Sequence, residues 1–186
     1  MALTNCYISS GLELSCHDSL GSLKNVWILG GSGYTVNDVA VDASDAITGM
    51  TGNGNFYKFE LKRNTSGLVQ TVNASFENGS LYYTQELTMV FNKLDIEKRA
   101  IIKVLATNPN LKVIVQDQND TFHYCGETNG MFLASGDAST GVAVGDRSGY
   151  SLVLSSEEKN MARIFDVSTI ADLDTLVSAG GFTLDA

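Results

Sequence analysis

Between Leu68 and Asn92 the chain carries two alternating runs around a short break, a pattern that few architectures satisfy. In the second run Leu81, Tyr83, Gln85, Leu87, Met89 and Phe91 fall on one side, and Tyr82, Thr84, Glu86, Thr88 and Val90 on the other. In the first run Leu68, Val72, Ala74 and Phe76 oppose Val69, Thr71, Asn73 and Ser75. Side chains on a strand alternate with period two, so this spacing predicts two strands, each with one apolar and one polar face. The break is Glu77-Asn78-Gly79-Ser80, and Asn-Gly supplies the positive-φ positions of a tight hairpin. The pattern therefore predicts a long antiparallel hairpin, covered on one face and wet on the other. A two-stranded ribbon is marginal alone in water, so other strands must cover it or pair with its edges.

The flanking sequence offers those strands. Asn25–Leu29 reads as a short strand ending in Gly30-Gly31-Ser32-Gly33, and Tyr34–Val41 as a loosely paired segment. Residues 42–55 hold three glycines among Asp and Asn and read as a loop, while Asn55–Arg63 alternates again. Leu94–Thr107 has helical spacing of Leu94, Ile101, Ile102, Val104 and Leu105, with Asn92 or Asp95 as cap and Asn108-Pro109 as stop. Val113-Ile114-Val115 reads as a buried strand, Asp117–Asp120 as a turn, and Thr121–Cys125 as the returning strand. Short strands are predicted at 131–134, 149–154, 161–166 and 182–184, with a small-residue loop at 135–145 and a charged turn at 155–160. A second helix fits 168–178, capped by Ser168. The expected fold is mainly β: a sandwich or barrel with one principal flanking helix and the long hairpin, in one domain over residues 1–186. An extended N-terminal segment (1–33) and a C-terminal segment (167–186) are available for contacts between subunits.

Composition narrows the function. The chain of 186 residues has 21 Asp and Glu against 12 Lys and Arg, a formal net charge of −9. Wrapping nucleic acid through its phosphates needs the opposite balance. No run approaches the roughly 20 apolar residues of a membrane span, and no secretory leader is visible at Met1. The sequons at Asn64, Asn73, Asn78 and Asn119 then read as chance products of an Asn-rich chain. Three cysteines, Cys6, Cys16 and Cys125, are an odd count that favours free thiols over a disulfide framework.

Each catalytic or ligand motif fails a physical requirement. Gly30–Gly33 is followed by Tyr34, with no Lys-Ser/Thr for phosphate and metal and no helix directly after it. His123 and Cys125, at i and i+2, share a strand face, and Cys16-His17 could add ligands, but no Cys-x-x-Cys supports a zinc site. His17-Asp18-Ser19 has triad residue types, yet consecutive side chains cannot form a hydrogen-bonded triad. The acid pairs Glu157-Glu158, Asp42 with Asp45, and Asp172 with Asp174 read as solvated turn charges. Asp146-Arg147, in a Gly-rich turn, reads as a turn brace or as an inter-subunit loop. No catalytic residue, cofactor or metal is expected.

From the helix onward the chain resembles the tail tube proteins of tailed phages, especially those of Bacteroidetes hosts. The likeness rests on the helix at 95–107, on Leu111–Asp117, and on Tyr124-Cys125-Gly126-Glu127-Thr128-Asn129-Gly130-Met131. It continues, after a small-residue loop, in Gly145-Asp146-Arg147-Ser148-Gly149-Tyr150-Ser151-Leu152. It covers about half the chain, 94–155. The resemblance implies a virion structural protein, not an enzyme, assembled in the host cytoplasm and residing in the virion tail. Hairpins of neighbouring subunits would pair edge to edge into hexameric rings, stacked around a channel that conducts genomic DNA during ejection without binding it specifically. The polar hairpin face (Thr71, Asn73, Ser75, Thr84, Glu86, Thr88) would line the lumen. Partners would be further copies of the chain and other tail or connector proteins. The resemblance extends to ring proteins at the head–tail joint and to tail completion proteins of the same fold, so a connector ring, a tail terminator or a capsid decoration protein is the alternative reading. A carbohydrate- or host-binding β-sandwich, with Trp27, Tyr82 and Tyr83 stacking on sugars, is the reading from another class.

Overall fold

The structure is a computed structural model, and it describes Gly11 and residues 18–185. Ten strands and two helices follow in chain order: β1 (Leu23–Val41), β2 (Ile47–Glu60), β3 (Gly67–Ser75), β4 (Ser80–Asn92), α1 (Ile96–Thr107), β5 (Val113–Asp117), β6 (Phe122–Cys125), β7 (Phe132–Ser139), β8 (Gly149–Glu158), β9 (Arg163–Ile164), α2 (Ile170–Ala179) and β10 (Phe182–Leu184). They form two sheets, one of six strands in the order β10-β2-β1-β5-β6-β9 and one of four in the order β3-β4-β8-β7. The fold is mainly β, a sandwich with helical additions.

The six-stranded sheet is buried on both faces. Val26, Ile28, Val113, Val115 and Cys125 point toward the four-stranded sheet and meet Leu87, Met89, Leu152 and Leu154, with Leu105 of α1 joining them. Trp27, Leu29, Ile114, Phe122 and Tyr124 point the other way, into a second cluster closed by Leu173 and Val177 of α2, by Phe165 and by Phe182. Double-sided burial explains why Val113-Ile114-Val115 is apolar without alternation.

The hairpin forms as its alternation predicts, with Ser75 opposite Ser80, Thr71 opposite Thr84 and Leu68 opposite Leu87. Gly79 sits in the turn with φ +62°, in the region where glycine costs nothing. α1 starts at Asp95, whose carboxylate accepts the Glu97 N–H at 3.0 Å. α2 starts one residue later than the sequence suggests, because the Thr169 hydroxyl, not Ser168, accepts the Asp172 N–H.

Several expectations are corrected. Residues 47–55 are strand, not loop, because Ile47, Met50 and Phe56 are buried against α2 and Phe182, and β1 pairs with them throughout. Tyr34–Val41 is not a separate segment but the second half of a 19-residue strand, whose pairing with β2 shifts register between Gly30 and Thr35, between Val36 and Asp38, and between Ala40 and Val41. β7 runs on to Ser139, through the first part of the predicted small-residue loop. β8 runs on to Glu158, through the predicted charged turn. Two helices flank the sheets, and the segment from 167 onward packs into the chain's own second cluster through Leu173, Val177 and Phe182.

Candidate functional site

The outer face of the four-stranded sheet collects every hairpin residue that the sequence assigned to one polar face. β3 contributes Thr71, Asn73 and Ser75, and β4 contributes Thr84, Glu86 and Thr88. Asn73 Nδ2 donates to Thr84 Oγ1 across the pair at 2.8 Å. The register extends this face over two more strands: Glu157 stands beside Thr84, Ser155 beside Glu86, Val153 beside Thr88 and Ser151 beside Val90. β7 adds Phe132, Ser135, Asp137 and Ser139 through its pairs with β8. The strands thus give this face three carboxylates (Glu86, Glu157, Asp137) and no lysine or arginine, and Arg147 of the following loop approaches it at Asp137.

Its two edges differ from those of the other sheet. The six-stranded sheet ends in β10, of three residues, and β9, of two. The four-stranded sheet ends in β3, of nine residues, and β7, of eight. Long open edges present unpaired N–H and C=O groups that another chain can pair with. At the β3 edge the Gln70 side chain accepts the Ala162 N–H at 2.7 Å, and Val69 and Val72 are exposed.

The sheet also ends in apolar side chains. β8 stops at Glu158 opposite Tyr83, so the hairpin from 73 to 82 projects as a bare ribbon. Its tip carries Phe76, 100% exposed, with Leu81 and Tyr82 also exposed. At the opposite end, where Asn92 pairs with Gly149 and Lys93 N–H bonds Ser148 O at 2.8 Å, Ile96, Val142 and Val144 are exposed. Asp146 and Arg147 lie there too. Asp146 Oδ2 accepts the N–H groups of Val142 (2.9 Å) and Ala143 (2.8 Å), and these bonds hold its pKa below the usual carboxylate range. Arg147 faces Asp137, with Nη2 3.8 Å from Oδ2. The pair therefore braces the turn through two separate contacts, and the same loop holds its valines out in solvent.

A second polar cluster was not anticipated. The loop 126–130 lies between two buried charges. Glu158, 3% exposed, accepts N–H bonds from Thr128 (3.1 Å), Asn129 (3.0 Å) and Gly130 (3.3 Å), and a hydroxyl bond from Ser156 at 3.0 Å. Lys112 Nζ donates to the carbonyls of Gly126 (2.7 Å), Glu127 (3.1 Å) and Thr128 (3.4 Å). Burial lowers the lysine pKa, partly opposed by Glu158 and Glu127. Gln85, also buried, accepts the Gly126 N–H at 3.1 Å. Glu127 bonds Arg163, which also reaches Asp45 at 3.0 Å; burial raises the Glu127 pKa against the pull of Arg163. The reading of Glu157-Glu158 as solvated turn charges is thus wrong for Glu158, whose buried carboxylate is saturated with backbone donors. The visible signal was parity: Gln85, Ser156 and Glu158 occupy inward positions in register with Leu87, Met89, Leu152 and Leu154. Glu158 and Lys112 spend their bonds chiefly on the backbone of the 126–130 loop, the pairing that buried charges require.

The remaining candidates separate. Asp42 accepts from Ser44 and Ala46 within its own turn, and Asp172 serves the α2 cap. Asp174 accepts from Ser178 within α2. His123 and Cys125 do share a face, but Cys125 is fully buried, with its thiol pKa pushed up to about 12, and the neighbour of His123 is Asp117 at 4.0 Å. Among the described residues no three His, Cys, Asp or Glu side chains converge as a metal site. Cys6, Cys16 and His17 lie outside the described residues. Trp27 is 0% exposed, with its indole N–H on Asp185 O at 2.8 Å, so it cannot stack on a sugar. Tyr82 and Tyr83 point to opposite faces of β4. No helix of the described residues is long and apolar enough to cross a membrane. No protein-family model, curated protein or solved structure matches the chain.

Proposed function

We propose that this chain is a virion structural subunit of the tail tube kind, which forms rings through the edges of its four-stranded sheet and stacks those rings around a DNA-conducting channel. The observation that carries this reading is the outer face of that sheet. It is largely polar, carries Glu86, Glu157 and Asp137, draws no Lys or Arg from its own strands although Arg147 of the neighbouring loop stands 3.8 Å from Asp137, and is bounded, among the described residues, by two long edge strands. Joining the β3 edge of one copy to the β7 edge of the next is a heterologous contact, and such contacts close into rings when the rotation allows. That face would then meet the channel with more carboxylates than cations, a surface that repels phosphate and lets DNA slide. The apolar hairpin tip and the apolar loop end lie at opposite ends of the sheet, as stacking of one ring on another requires.

In this reading the chain is a structural element, not a catalyst. It needs no cofactor, works in the virion tail after assembly in the host cytoplasm, and contacts other tail or connector proteins above and below. The test is electron microscopy of the purified protein together with its mass in solution over a wide concentration range. Stacked rings with a central channel are expected. A ring that refuses to stack points instead to a connector or terminator, and a monomer at every concentration overturns the assembly reading.

A further inference from the structure

Three Asn-Gly pairs occur in the chain, at 53–54, 78–79 and 129–130. This dipeptide is prone to deamidation, because a glycine leaves its own N–H unshielded beside the preceding side chain. The reaction needs the Gly nitrogen to reach the Asn Cγ, which demands a backbone free to leave the extended conformation and an N–H not held elsewhere. The structure separates the three pairs on those grounds.

Gly54 lies inside β2, paired with Phe182 of β10 on one side, while Asn53 and Asn55 pair with β1 on the other. Any atom added at Gly54 would meet Leu29 Cδ1 and the Tyr34 Cβ at 2.9 Å, so the backbone there is closely packed. Asn129 is held twice: its N–H bonds Glu158, and its side-chain amide bonds Glu157 O. The Gly130 N–H is itself committed to Glu158, and the residue is buried. Asn78-Gly79 has none of this. It sits in the turn of the projecting ribbon, both residues are exposed, and nothing lies within 4 Å of the Gly79 Cβ position. The Asn78 N–H makes one weak bond, to Ser75 Oγ at 3.4 Å, and the Gly79 N–H has no acceptor among the described residues.

We infer that Asn78 is a self-modification site, at which the hairpin tip gains a carboxylate by reaction with solvent water. The Gly79 nitrogen loses its proton and attacks Asn78 Cγ. The new N–C bond closes a succinimide, and the side-chain nitrogen leaves as ammonia. One water then opens the ring at either carbonyl, giving aspartate or isoaspartate. Nothing is oxidised or reduced. Aspartate sets a second negative charge beside Glu77, and isoaspartate also lengthens the turn backbone by one methylene. The inference rests on the turn of the single chain; stacking of rings through the hairpin tip would shield Asn78, so the test uses the unassembled protein.

The test is peptide mapping by mass spectrometry after prolonged incubation at mildly alkaline pH, on the folded, unassembled protein and on the same protein in urea. In urea all three sites report their sequence-limited rates. In the folded protein Asn78 should keep a rate close to its urea value, while Asn53 and Asn129 slow at least tenfold, which requires a local opening cost of only about 1.4 kcal/mol. The Asn78→Ser variant should lose the modified peptide without new modification elsewhere. Protection of Asn78 in the folded protein to the same degree as Asn129, or faster reaction at Asn53 or Asn129 than at Asn78, overturns the inference.

Discussion

The two sheets share one core and are built for opposite ends. The six-stranded sheet is buried on both faces, and its edge strands are two and three residues long. The four-stranded sheet buries one face, leaves most of the other in water, and ends in strands of nine and eight residues. Short edges are a standard defence against unwanted pairing, and long ones invite it. The first sheet therefore holds the molecule together, and the second is free to meet other molecules. On this division, substitutions in the first should cost folding, and those on the outer face of the second should cost assembly and leave folding intact.

The largest effect should come from Trp27→Ala. The indole is fully buried, packs against Phe122 with ring centroids 6.2 Å apart, and bonds Asp185 O. Truncation of a buried aromatic costs about 3–5 kcal/mol, read as a drop in the urea midpoint. Glu86→Ala, at an exposed position on the outer face of the other sheet, should stay within about 0.5 kcal/mol of the parent. Equal losses for the two would break the comparison.

Next is Phe76→Glu. The ring of Phe76 touches water on all sides in the single chain, so its replacement should leave the unfolding midpoint unchanged. If the tip is buried between stacked rings, each lost contact forfeits about 1.5–3 kcal/mol of apolar burial. Rings should survive and filaments shorten or vanish under the electron microscope. Filaments of parental length would show that the hairpin tip plays no part in stacking.

Much of this division was legible in the residues, for a physical reason. Alternation reports a sheet with one wet face, and the four-stranded sheet is that sheet: Thr71, Asn73, Ser75, Thr84, Glu86 and Thr88 fall on its outer face as spacing demands. The doubly buried sheet has no alternation to read. β1 and the first half of β2 contain Gly30, Gly31, Gly33, Gly49, Gly52 and Gly54, and glycines mimic loop composition. Here they permit close approach: a Cβ at Gly52 would stand 2.1 Å from Thr35 O. The polar clamp was missed because charge normally marks the surface, and Lys112 and Glu158 are buried only because a loop distant in sequence supplies their partners.

That clamp gives the third effect. Glu158→Gln keeps the side-chain shape but exchanges a carboxylate, which takes three backbone N–H groups, for an amide with one oxygen. Leaving a buried donor unmet costs about 1–3 kcal/mol. The amide protons of Thr128, Asn129 and Gly130 should exchange faster in the variant, ahead of any change at Val113–Val115. Unchanged exchange at those three amides would remove Glu158 as the holder of the loop. The clamp belongs to the side of the comparison that keeps the molecule folded, although half of it hangs from β8 of the four-stranded sheet.

The smallest effect tests the far end of that sheet. The Asp146 carboxylate is held below the usual range by its bonds to Ala143 and Val142. A depressed folded-state pKa means that the brace contributes fully above the unfolded carboxyl value of about 3.9 and is lost as pH falls through the lower folded value. The group is exposed, so the change should be local: the amide signals of Val142 and Ala143 should titrate with a midpoint below that of a free aspartate, while global unfolding is not triggered. Asp146→Asn should abolish this titration and loosen the loop that presents Val142 and Val144, without altering the core. A midpoint at the ordinary aspartate value would mean that the brace is not formed in solution. The valines at that end would then have no fixed position from which to receive the hairpin tip of another ring.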